Sequence, residues 1–232
     1  MIGCQLYRLM LQGKTVQEAY DIVPKVDHNA HLKMILKNNA AINICIVHPE
    51  ETTGVEAVDL GLSVLWASHN VGATKPEEYG GYYAWGETEE KEEYTLWNYK
   101  FYNLLTGRFT DIGKDISGTE YDVAKKWEDG WRMPTIEEFV ELTQDCEWTD
   151  SICNGIKGKK IMGKNGNHIF LPLAGAGAPI SSVISSGEYG IYWSSNKYDE
   201  RGVRTCHLSS SGVVLVDCDA NYGLPVRPVK DK

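Results

Sequence analysis

The first part of the chain carries apolar residues at helical spacing. On either side of Gly13 these positions are Tyr7, Leu11, Val16, Ala19, Tyr20 and Val23. Thr15 suits a helix N-cap, because Glu18 three residues later completes a capping box, and Pro24 ends the helix. The pattern over residues 1–46 therefore predicts a small helical N-terminal segment.

Two apolar runs follow, and the first has two interpretations. Residues 31–36 predict either a further short helix or a buried strand, whereas residues 42–47 form a short β-like run. The polar, turn-prone stretch HPEETTG at residues 48–54 predicts a linker. We therefore expect a small N-terminal segment over residues 1–50 and a separate domain over residues 55–232.

From Val55 onward the helical periodicity gives way to short apolar runs interrupted by Gly, Asn and Ser. These runs predict strands or extended segments at SVLWAS (63–68), GYYAWGE (81–87), HIFLPLAG (168–175), IYWSS (191–195), RTCHLS (204–209) and VVLVDC (213–218). The stretch SSSG at residues 209–212 predicts a hairpin turn between the last two.

Two segments of this second part predict helices. One runs from residue 135 to about residue 143, with Thr135 as N-cap and Glu138 completing a capping box. A weaker pattern covers residues 122–127. Few helices, many short strands and long glycine-rich loops predict an α+β domain with extensive irregular structure.

The chain is acidic, with a formal net charge of −9 at pH 7. Residues 1–50 contain five Lys/Arg and four Asp/Glu, so residues 51–232 carry a net −10. Phosphate binding needs clustered cations, so we do not expect nonspecific nucleic-acid binding. No apolar run approaches the length of a membrane span, and the N-terminus lacks the apolar core of an export signal. We expect a cytoplasmic protein, or a cell-surface one if the chain is a piece of a longer exported protein.

The cysteine and histidine patterns do not predict a cofactor. The cysteines are Cys4, Cys45, Cys146, Cys153, Cys206 and Cys218, and none form a C-x-x-C pair typical of zinc knuckles. The six histidines show no H-E-x-x-H pattern, so a catalytic zinc is not expected. The scatter of the cysteines favours buried thiols, with a bridge between Cys146 and Cys153 as the alternative.

Five motifs follow one another in a distinctive order between residues 59 and 229. They are DLGLSVLWASHNVGATKPEEYGGYYAWGE, DGWRMPTIEEFVEL, NGNHIFLPLAG, YGIYWSSN and GLPVRPV. This succession resembles the major paralogous domain of Fibrobacter and Bacteroidetes, which is related to formylglycine-generating enzymes and to the C-type lectin fold. The resemblance implies a C-type-lectin-like domain whose ends pair in a small sheet. It also implies that Trp131 and Trp193 are buried and that residues 64–67 share a domain with residues 224–229.

The C-terminal part also resembles the variable proteins of diversity-generating retroelements. In those proteins a C-type-lectin scaffold displays hypervariable side chains between a YWSS-like and a VRPV-like segment. Here that interval is residues 196–223, NKYDERGVRTCHLSSSGVVLVDCDANYG. Two interpretations stay open for it, a hypervariable binding surface and an ordinary loop surface.

Between these two scaffold motifs we predict a contact surface for an unknown protein or surface ligand. The candidate residues are Lys197, Tyr198, Asp199, Arg201, Arg204, His207, Asp217, Asp219, Asn221 and Tyr222. Alternation along RTCHL (204–208) puts Arg204 and His207 on opposite faces, so the loops at 197–201 and 217–222 are the stronger candidates. Tyr and Arg are residue types that often dominate interface energy. The predicted function is ligand or protein binding, and a structural or surface-assembly role is the alternative.

An enzyme activity is the third interpretation, and it comes from the resemblance alone. Formylglycine-generating enzymes use a reactive cysteine pair that binds copper as thiolates. Cys206 and Cys218 flank the SSSG turn, but they do not reproduce the family spacing and are not in register. The EPN, QPD and WND tripeptides of calcium-dependent sugar sites are absent, WED (127–129) being the nearest. We therefore expect no enzyme activity, and we expect the acidic run GETEEKEE (86–93) to be a solvated loop rather than a calcium site.

The N-terminal segment resembles a different family. The stretches LMLQGKTVQEAYD and NAHLKMILKNNAAINI are similar to the C-terminal end of caspase-like CHAT peptidase domains. That family's catalytic His and Cys would lie before Met1, so the resemblance implies a remnant without catalytic residues. An assembly module is the alternative for residues 1–50.

Overall fold

The computed structural model describes residues 31–37, 41–47, 54–177 and 183–232, with side chains for residues 54–177 and 185–232. The chain divides into two compact units, Met1–Thr53 and Gly54–Lys232. The predicted helix that begins near Thr15 lies outside the described residues. All of the predicted linker except Gly54 lies outside them as well.

The described part of the first unit is a β-hairpin. Strand β1 (His31–Lys37) pairs antiparallel with β2 (Ala41–Val47). The prediction of a helical segment is therefore wrong for these residues, and the strand alternative for residues 31–36 is confirmed. The reason is that Leu32, Met34 and Leu36 recur at every second position of the first stretch, as do three isoleucines in the second. A period of two and β-branched side chains both suit a pleated strand.

The second unit combines many short strands with two helices in its described residues. Its strands are β3 (Ala57–Asp59), β4 (Val64–Ala67), β5 (Tyr102–Asn103), β6 (Arg108–Phe109), β7 (Glu147–Cys153), β8 (Ile156–Met162), β9 (His168–Pro172), β10 (Ala176–Gly177), β11 (Val183–Ile184), β12 (Gly190–Lys197), β13 (Gly202–Ser209), β14 (Gly212–Asp219) and β15 (Val229–Asp231). Its helices are α1 (Val123–Trp127) and α2 (Ile136–Asp145), and a 3-10 turn lies at Leu96–Asn98. This mixture agrees with the predicted α+β class. Both helices are too short to cross a membrane.

A three-stranded sheet joins the two ends of this unit. Strand β4 lies at its centre, so that Trp66 is opposite Val58 of β3 on one side and Val229 of β15 on the other. The predicted association of residues 64–67 with residues 224–229 is confirmed. Trp66 and Val229 are buried, so the same strands that join the ends of the unit also cover its core.

A second three-stranded sheet, β12-β13-β14, carries the predicted contact surface. Its strands are antiparallel, and Ser209 lies opposite Gly212, so the predicted SSSG hairpin turn is confirmed. The register of β12 against β13 shifts between Trp193 and Lys197. An irregularity of this kind bends a strand and re-aims the side chains that follow it.

The apolar pattern does not predict the first two strands of the third sheet, β7-β8-β9. Charged and hydroxyl side chains interrupt EWTDSIC and IKGKKIM, so neither stretch shows a clear apolar period. The local signal that marks this hairpin is Asn154–Gly155, whose φ angles are 47° and 86°. Two-residue hairpin loops of the primed turn types favour Asn-Gly because both residues take positive φ.

Both helices begin where the sequence predicts. Asp122 caps α1 by accepting hydrogen bonds from the backbone N–H groups of Ala124 (2.8 Å) and Lys125 (3.2 Å). At the start of α2, Thr135 Oγ1 accepts from Glu138 N–H (3.2 Å) and Glu138 Oε2 accepts from Thr135 N–H (2.8 Å). The predicted capping box is therefore present, and it satisfies N–H groups that no helical carbonyl reaches.

Two buried clusters lie on opposite faces of the β12–β14 sheet. Trp193 and Val203 belong to the first cluster. Tyr192 and Cys206, whose side chains lie on the opposite face of the same strands, belong to the second. The predicted burial of Trp131 and Trp193 is confirmed, since both expose 5% of their surface or less. The candidate surface thus stands on a sheet that is packed on both sides.

The four cysteines with described side chains are free thiols. Cys146 immediately precedes β7, and Cys153 is its last residue. The rise along a strand separates them by about 20 Å, far beyond the Cα separation that a disulfide spans. The alternative of a bridge between these two cysteines is therefore wrong.

Candidate binding cleft

The turn between β12 and β13 holds three of the predicted contact residues. Asp199 Oδ1 accepts hydrogen bonds from the backbone N–H groups of Gly202 (2.6 Å) and Arg201 (2.9 Å). These bonds favour the ionised carboxylate and hold the pKa of Asp199 below its ordinary value. The bond from Gly202 has the larger effect and the bond from Arg201 the smaller. Tyr198 N–H also donates to the Gly202 carbonyl at 2.8 Å. Asp199 therefore shapes the turn that presents Tyr198.

Tyr198 stands on this turn with 57% of its surface exposed. The Arg204 guanidinium lies over its ring, 4.4 Å from the centroid. Arg204 Nε in turn lies 3.3 Å from Oδ1 of Asp217 on the neighbouring strand. The ring is thus stacked on a cation that a carboxylate holds in place. An aromatic side chain ordered in this way loses little further entropy when a partner covers it.

The facing wall of the site comes from a distant part of the chain. The residues after β6 run beside the end of β12, where Lys197 N–H donates to the Lys114 carbonyl at 2.8 Å. Asp115 and Asn196 form an isolated β-bridge at the same place. A cleft of about 750 Å³ lies between the walls, lined by Arg108, Phe109, Asp111, Lys114, Lys197, Tyr198, Asp199 and Glu200.

The charges that line the cleft balance in number. Three basic side chains, Arg108, Lys114 and Lys197, meet three acidic ones, Asp111, Asp199 and Glu200. Lys197 Nζ lies 3.9 Å from Asp111 Oδ1, a long contact that contributes little to stability. Among the described residues, Arg108 and Lys114 form no ion pair. Two cations and an exposed aromatic ring therefore stay available to a ligand.

The two predicted loops meet at one edge of the sheet. Arg201 Nη2 lies 2.5 Å from Asp219 Oδ2, and the Ala220 N–H donates to the Arg201 carbonyl at 2.9 Å. Three of the ten predicted residues, Lys197, Tyr198 and Asp199, therefore line the cleft. Four others lie beside that wall or at the edge of the sheet, as the pairs Arg204–Asp217 and Arg201–Asp219.

The other three predicted residues neither line the cleft nor take part in these pairs. His207 lies within β13, and its Nε2 is buried without a hydrogen-bond partner in the part of the chain that is described. Asn221 is buried, and Tyr222 is half-buried against the first cluster. The chain turns inward here because the Ala220 carbonyl accepts a bond from Trp85 N–H (2.9 Å). These residues offer a partner little surface.

The cysteine pair of the enzyme interpretation lies on two faces of one sheet. Cys206 is opposite Leu215 and packs in the second cluster, whereas Cys218 is opposite Val203 and packs against the first. The two are on neighbouring strands and out of register, as predicted. Burial raises the pKa of Cys206 well above its ordinary value and that of Cys218 to about 12. Both groups are therefore thiols at neutral pH and point away from each other.

The acidic run at residues 86–93 is a solvated loop except for its first carboxylate. Glu87 is buried; its Oε2 lies 2.5 Å from Lys91 Nζ, and its Oε1 accepts from Lys100 N–H at 2.7 Å. The remaining glutamates, Glu89, Glu90, Glu92 and Glu93, are exposed. Across the described ranges, no three His, Cys, Asp or Glu side chains come together in a group that could hold a metal ion.

Sequence reasoning misses the far wall of the cleft. Arg108, Phe109, Asp111 and Lys114 lie at least 84 positions before Tyr198, in a polar stretch without apolar periodicity. The one local signal is Gly107, whose φ of 65° ends the turn between β5 and β6. It indicates a hairpin, but it does not indicate that the hairpin lies across from β12.

A second cleft, of about 860 Å³, lies between the β7–β8 hairpin and residues 187–189. Ile152 and Tyr189, two exposed apolar side chains, contribute to its lining. None of the ten predicted contact residues lines it. Tyr189 therefore offers a matched control for Tyr198, because both are exposed tyrosines beside a cleft.

Comparisons with known proteins do not indicate a function. No family model matches the chain, and neither does any curated protein or solved structure compared with it. The functional conclusion therefore depends on the residues of the cleft.

Proposed function

We propose that residues 55–232 form a binding module that holds a segment of another protein, or a surface ligand, in the cleft beside Tyr198. Its scaffold in this proposal is a C-type-lectin-like domain of the formylglycine-generating-enzyme type. The five ordered motifs, the pairing of both ends of the unit on β4 and the small number of helices support that scaffold. Function is nevertheless argued from the site, because one fold serves many activities.

The observation that carries the proposal is the stacked and exposed Tyr198 at the cleft. Its ring lies against Arg204, and Arg204 lies against Asp217 on the packed sheet. Tyr and Arg are the residue types found at the energetic centres of interfaces. A partner that covers this ring buries apolar surface without first ordering it.

The lining indicates what a partner segment would carry. Arg108 and Lys114 pair with no described carboxylate and suit carboxylates of a partner, and Glu200 suits a basic group. Phe109 and Tyr198 give the cleft two aromatic side chains, which suit apolar or planar groups. A peptide segment with an acidic residue beside an apolar one fits this combination best.

The interval that resembles the hypervariable region supplies one wall of the cleft. Lys197, Tyr198, Asp199 and Glu200 belong to residues 196–223, whereas Arg108 and its neighbours do not. A variable protein would therefore change one wall of its cleft and keep the other. A reverse transcriptase gene beside a near-copy of the 3′ end of this gene would support this form of the proposal, and a neighbourhood without both would contradict it.

Selection from a random peptide library displayed on phage tests the binding function. We expect enriched peptides to carry acidic and apolar residues. We expect Tyr198→Ala to weaken their binding by about tenfold or more, the effect of removing a central aromatic residue. Arg108→Ala weakens the acidic peptides in particular, and Tyr189→Ala serves as the matched control.

Two results would contradict the proposal in different ways. Peptides that lose binding with Tyr189→Ala and not with Tyr198→Ala would place the site in the second cleft. A library that yields no peptide above the background of an unrelated protein would refute peptide binding itself. Thermal unfolding of each variant shows whether a loss reflects the site or the fold.

A further inference from the structure

Three large apolar side chains of the second unit are exposed within nine positions of the sequence. Trp97 exposes 73% of its surface, Leu104 52% and Leu105 97%. The 3-10 turn that carries Trp97 contacts β5, and β5 leads directly into the two leucines. We call Trp97, Leu104 and Leu105 the apolar patch.

Hydrogen bonds order the turn that presents the leucines. Asn103 Oδ1 accepts from the N–H groups of Leu105 (3.0 Å) and Thr106 (3.1 Å), and the Asn103 carbonyl accepts from Gly107 N–H (2.8 Å). An Asn side chain that bonds the backbone two residues later fixes a turn without help from packing. The leucines therefore contribute little to the fold at these positions, and single polar residues would serve the turn as well.

The acidic run holds Trp97 in place. Thr95 and Asn98 cap the 3-10 turn reciprocally, with Asn98 N–H to Thr95 Oγ1 at 3.3 Å and Thr95 N–H to Asn98 Oδ1 at 3.1 Å. Asn98 Nδ2 donates to the Glu93 carbonyl at 2.8 Å, and Lys91 Nζ donates to the Asn98 carbonyl at 2.7 Å. The turn with Trp97 and the run of glutamates are thus one structure.

Carboxylates predominate beside the turn that carries Trp97. Glu89, Glu90, Glu92 and Glu93 are exposed and form no ion pair within the described residues. The one cation of the run, Lys91, is paired with buried Glu87. Lys100 is the next cation along the chain, and its Nζ lies 5.6 Å from the centroid of the Phe101 ring. Arg108 follows, opposite Asn103 in the hairpin that carries the leucines.

We infer that the apolar patch and these four glutamates form a docking surface for a basic, apolar segment of a partner protein. Burial of Trp97 and the leucines provides the affinity, because exposed apolar side chains gain free energy when water leaves them. The glutamates attract Lys or Arg side chains and repel acidic partners. A second copy of the chain is disfavoured, because a symmetric contact would bring the two acidic runs together.

This surface is separate from the cleft, although both involve the β5–β6 hairpin. Arg108 and Phe109 of β6 line the cleft, whereas the leucines occupy the turn at its tip. Within the described residues, the cleft has two cations without an ion pair, Arg108 and Lys114, whereas the carboxylates without one lie in the run beside Trp97. The two sites therefore select segments of opposite charge, and the inference holds whether or not the cleft binds a peptide.

A fluorescently labelled amphipathic peptide of leucine and lysine is the probe, and fluorescence anisotropy measures its binding to the full chain. We expect this peptide to bind. We expect a peptide with Glu in place of Lys, and one with Ser in place of Leu, to bind at least about tenfold more weakly. Binding of the first peptide should weaken with rising salt, because exposed charges are screened.

Variants locate the contact on the protein. Trp97→Ala and Leu105→Ser each weaken binding by about tenfold or more, and Glu92→Gln with Glu93→Gln weakens it by a few fold and flattens the salt dependence. Two controls leave it unchanged. Val214→Ser removes an exposed apolar side chain on β14, and Tyr189→Ala removes an exposed ring beside the second cleft.

Other outcomes would overturn the inference and identify another occupant. The proposed partner is wrong if the lysine peptide does not bind or if the glutamate peptide binds equally well. It is also wrong if neither Trp97→Ala nor Leu105→Ser weakens binding. A dimer in sedimentation velocity that Leu105→Ser abolishes makes the occupant a second copy. Cosedimentation with phosphatidylcholine vesicles that Leu105→Ser abolishes makes it a membrane surface.

Discussion

Arg227 is a fully buried cation whose guanidinium binds four neutral oxygens. Its Nε donates to Asn70 Oδ1 (2.8 Å), its Nη1 to the carbonyls of Ala67 (3.0 Å) and Ser68 (2.9 Å), and its Nη2 to that of Phe170 (2.8 Å). It forms no ion pair with the described carboxylates. The closing segment is thereby tied to the end of β4 and to β9.

Replacing Arg227 by Met should lower the free energy of unfolding by about 3–5 kcal/mol, because four buried oxygens lose their donor. Burial lowers the pKa of Arg227 to about 10, so the side chain is still charged at neutral pH and its hydrogen bonds are charge-assisted. Met fills the space but leaves four buried oxygens without donors, each at a cost of about 1–3 kcal/mol. The relief of an unpaired buried charge offsets part of this sum.

Urea unfolding followed by tryptophan fluorescence measures the change, with the slope m compared between variants. Arg227→Lys should lower the free energy of unfolding by less than Arg227→Met, because an ammonium keeps the charge and up to three of the hydrogen bonds. Asn70→Ala removes one acceptor of Arg227 and also the donor to the Tyr79 carbonyl (2.9 Å), and it should cost about 2–3 kcal/mol. Arg204→Met is the control and should cost about 1 kcal/mol or less, because Arg204 has one partly exposed ion pair.

An Arg227→Met variant with the unfolding midpoint and m of the unchanged protein would refute this reasoning. So would a loss from Arg204→Met as large as that from Arg227→Met, because burial would then not distinguish the two cations. If Arg227→Met does not fold, Arg227→Lys and Asn70→Ala still test the reasoning, because both should destabilise the protein more than Arg204→Met does.

Two further predictions concern single buried groups. Asp122 accepts hydrogen bonds from the N–H groups of Gly118 (2.7 Å) and Met133 (2.9 Å) as well as capping α1. Asp122→Ala should therefore cost about 2–3 kcal/mol in urea unfolding, against about 0.5 kcal/mol or less for exposed Glu120→Ala; equal losses would contradict the role of Asp122. Burial lowers the pKa of His207 in the folded protein. As pH falls through the ordinary histidine pKa, the unfolded chain therefore takes up this proton first, and the free energy of unfolding decreases. His207→Gln should lose less stability than the unchanged protein between about pH 7 and about pH 5, and an equal loss would show that His207 does not contribute.

Local hydrogen bonds explain why some elements could be predicted. The capping box of α2 joins Thr135 and Glu138, three positions apart, and the SSSG turn closes between Ser209 and Gly212. Residues this close in sequence meet in almost any tertiary arrangement, so their types alone indicate the structure. The Asn154–Gly155 turn belongs to the same class, although the polar strands around it hide the hairpin from an apolar pattern.

The cleft and the buried cation depend on contacts of another kind. Arg227 bonds to residues between 57 and 160 positions away, and Tyr198 faces a hairpin that precedes it by about ninety positions. The type of a residue does not tell whether such a distant neighbour exists. Asn221 and Tyr222 were predicted to belong to a contact surface because the sequence does not show their distant neighbours. In the structure the turn that carries them packs inward.

The sequence by itself determined that the second unit is rich in short strands and where α1 and α2 begin. Periodicity, capping residues and turn residues carry this information because each acts over a few positions. Only the tertiary structure decided that Tyr198 faces Arg108 across a cleft, that Cys206 and Cys218 lie on opposite faces, and that the two leucines after β5 stay exposed. Those outcomes depend on which distant surfaces meet, and packing of the whole unit selects among the arrangements that local preferences allow.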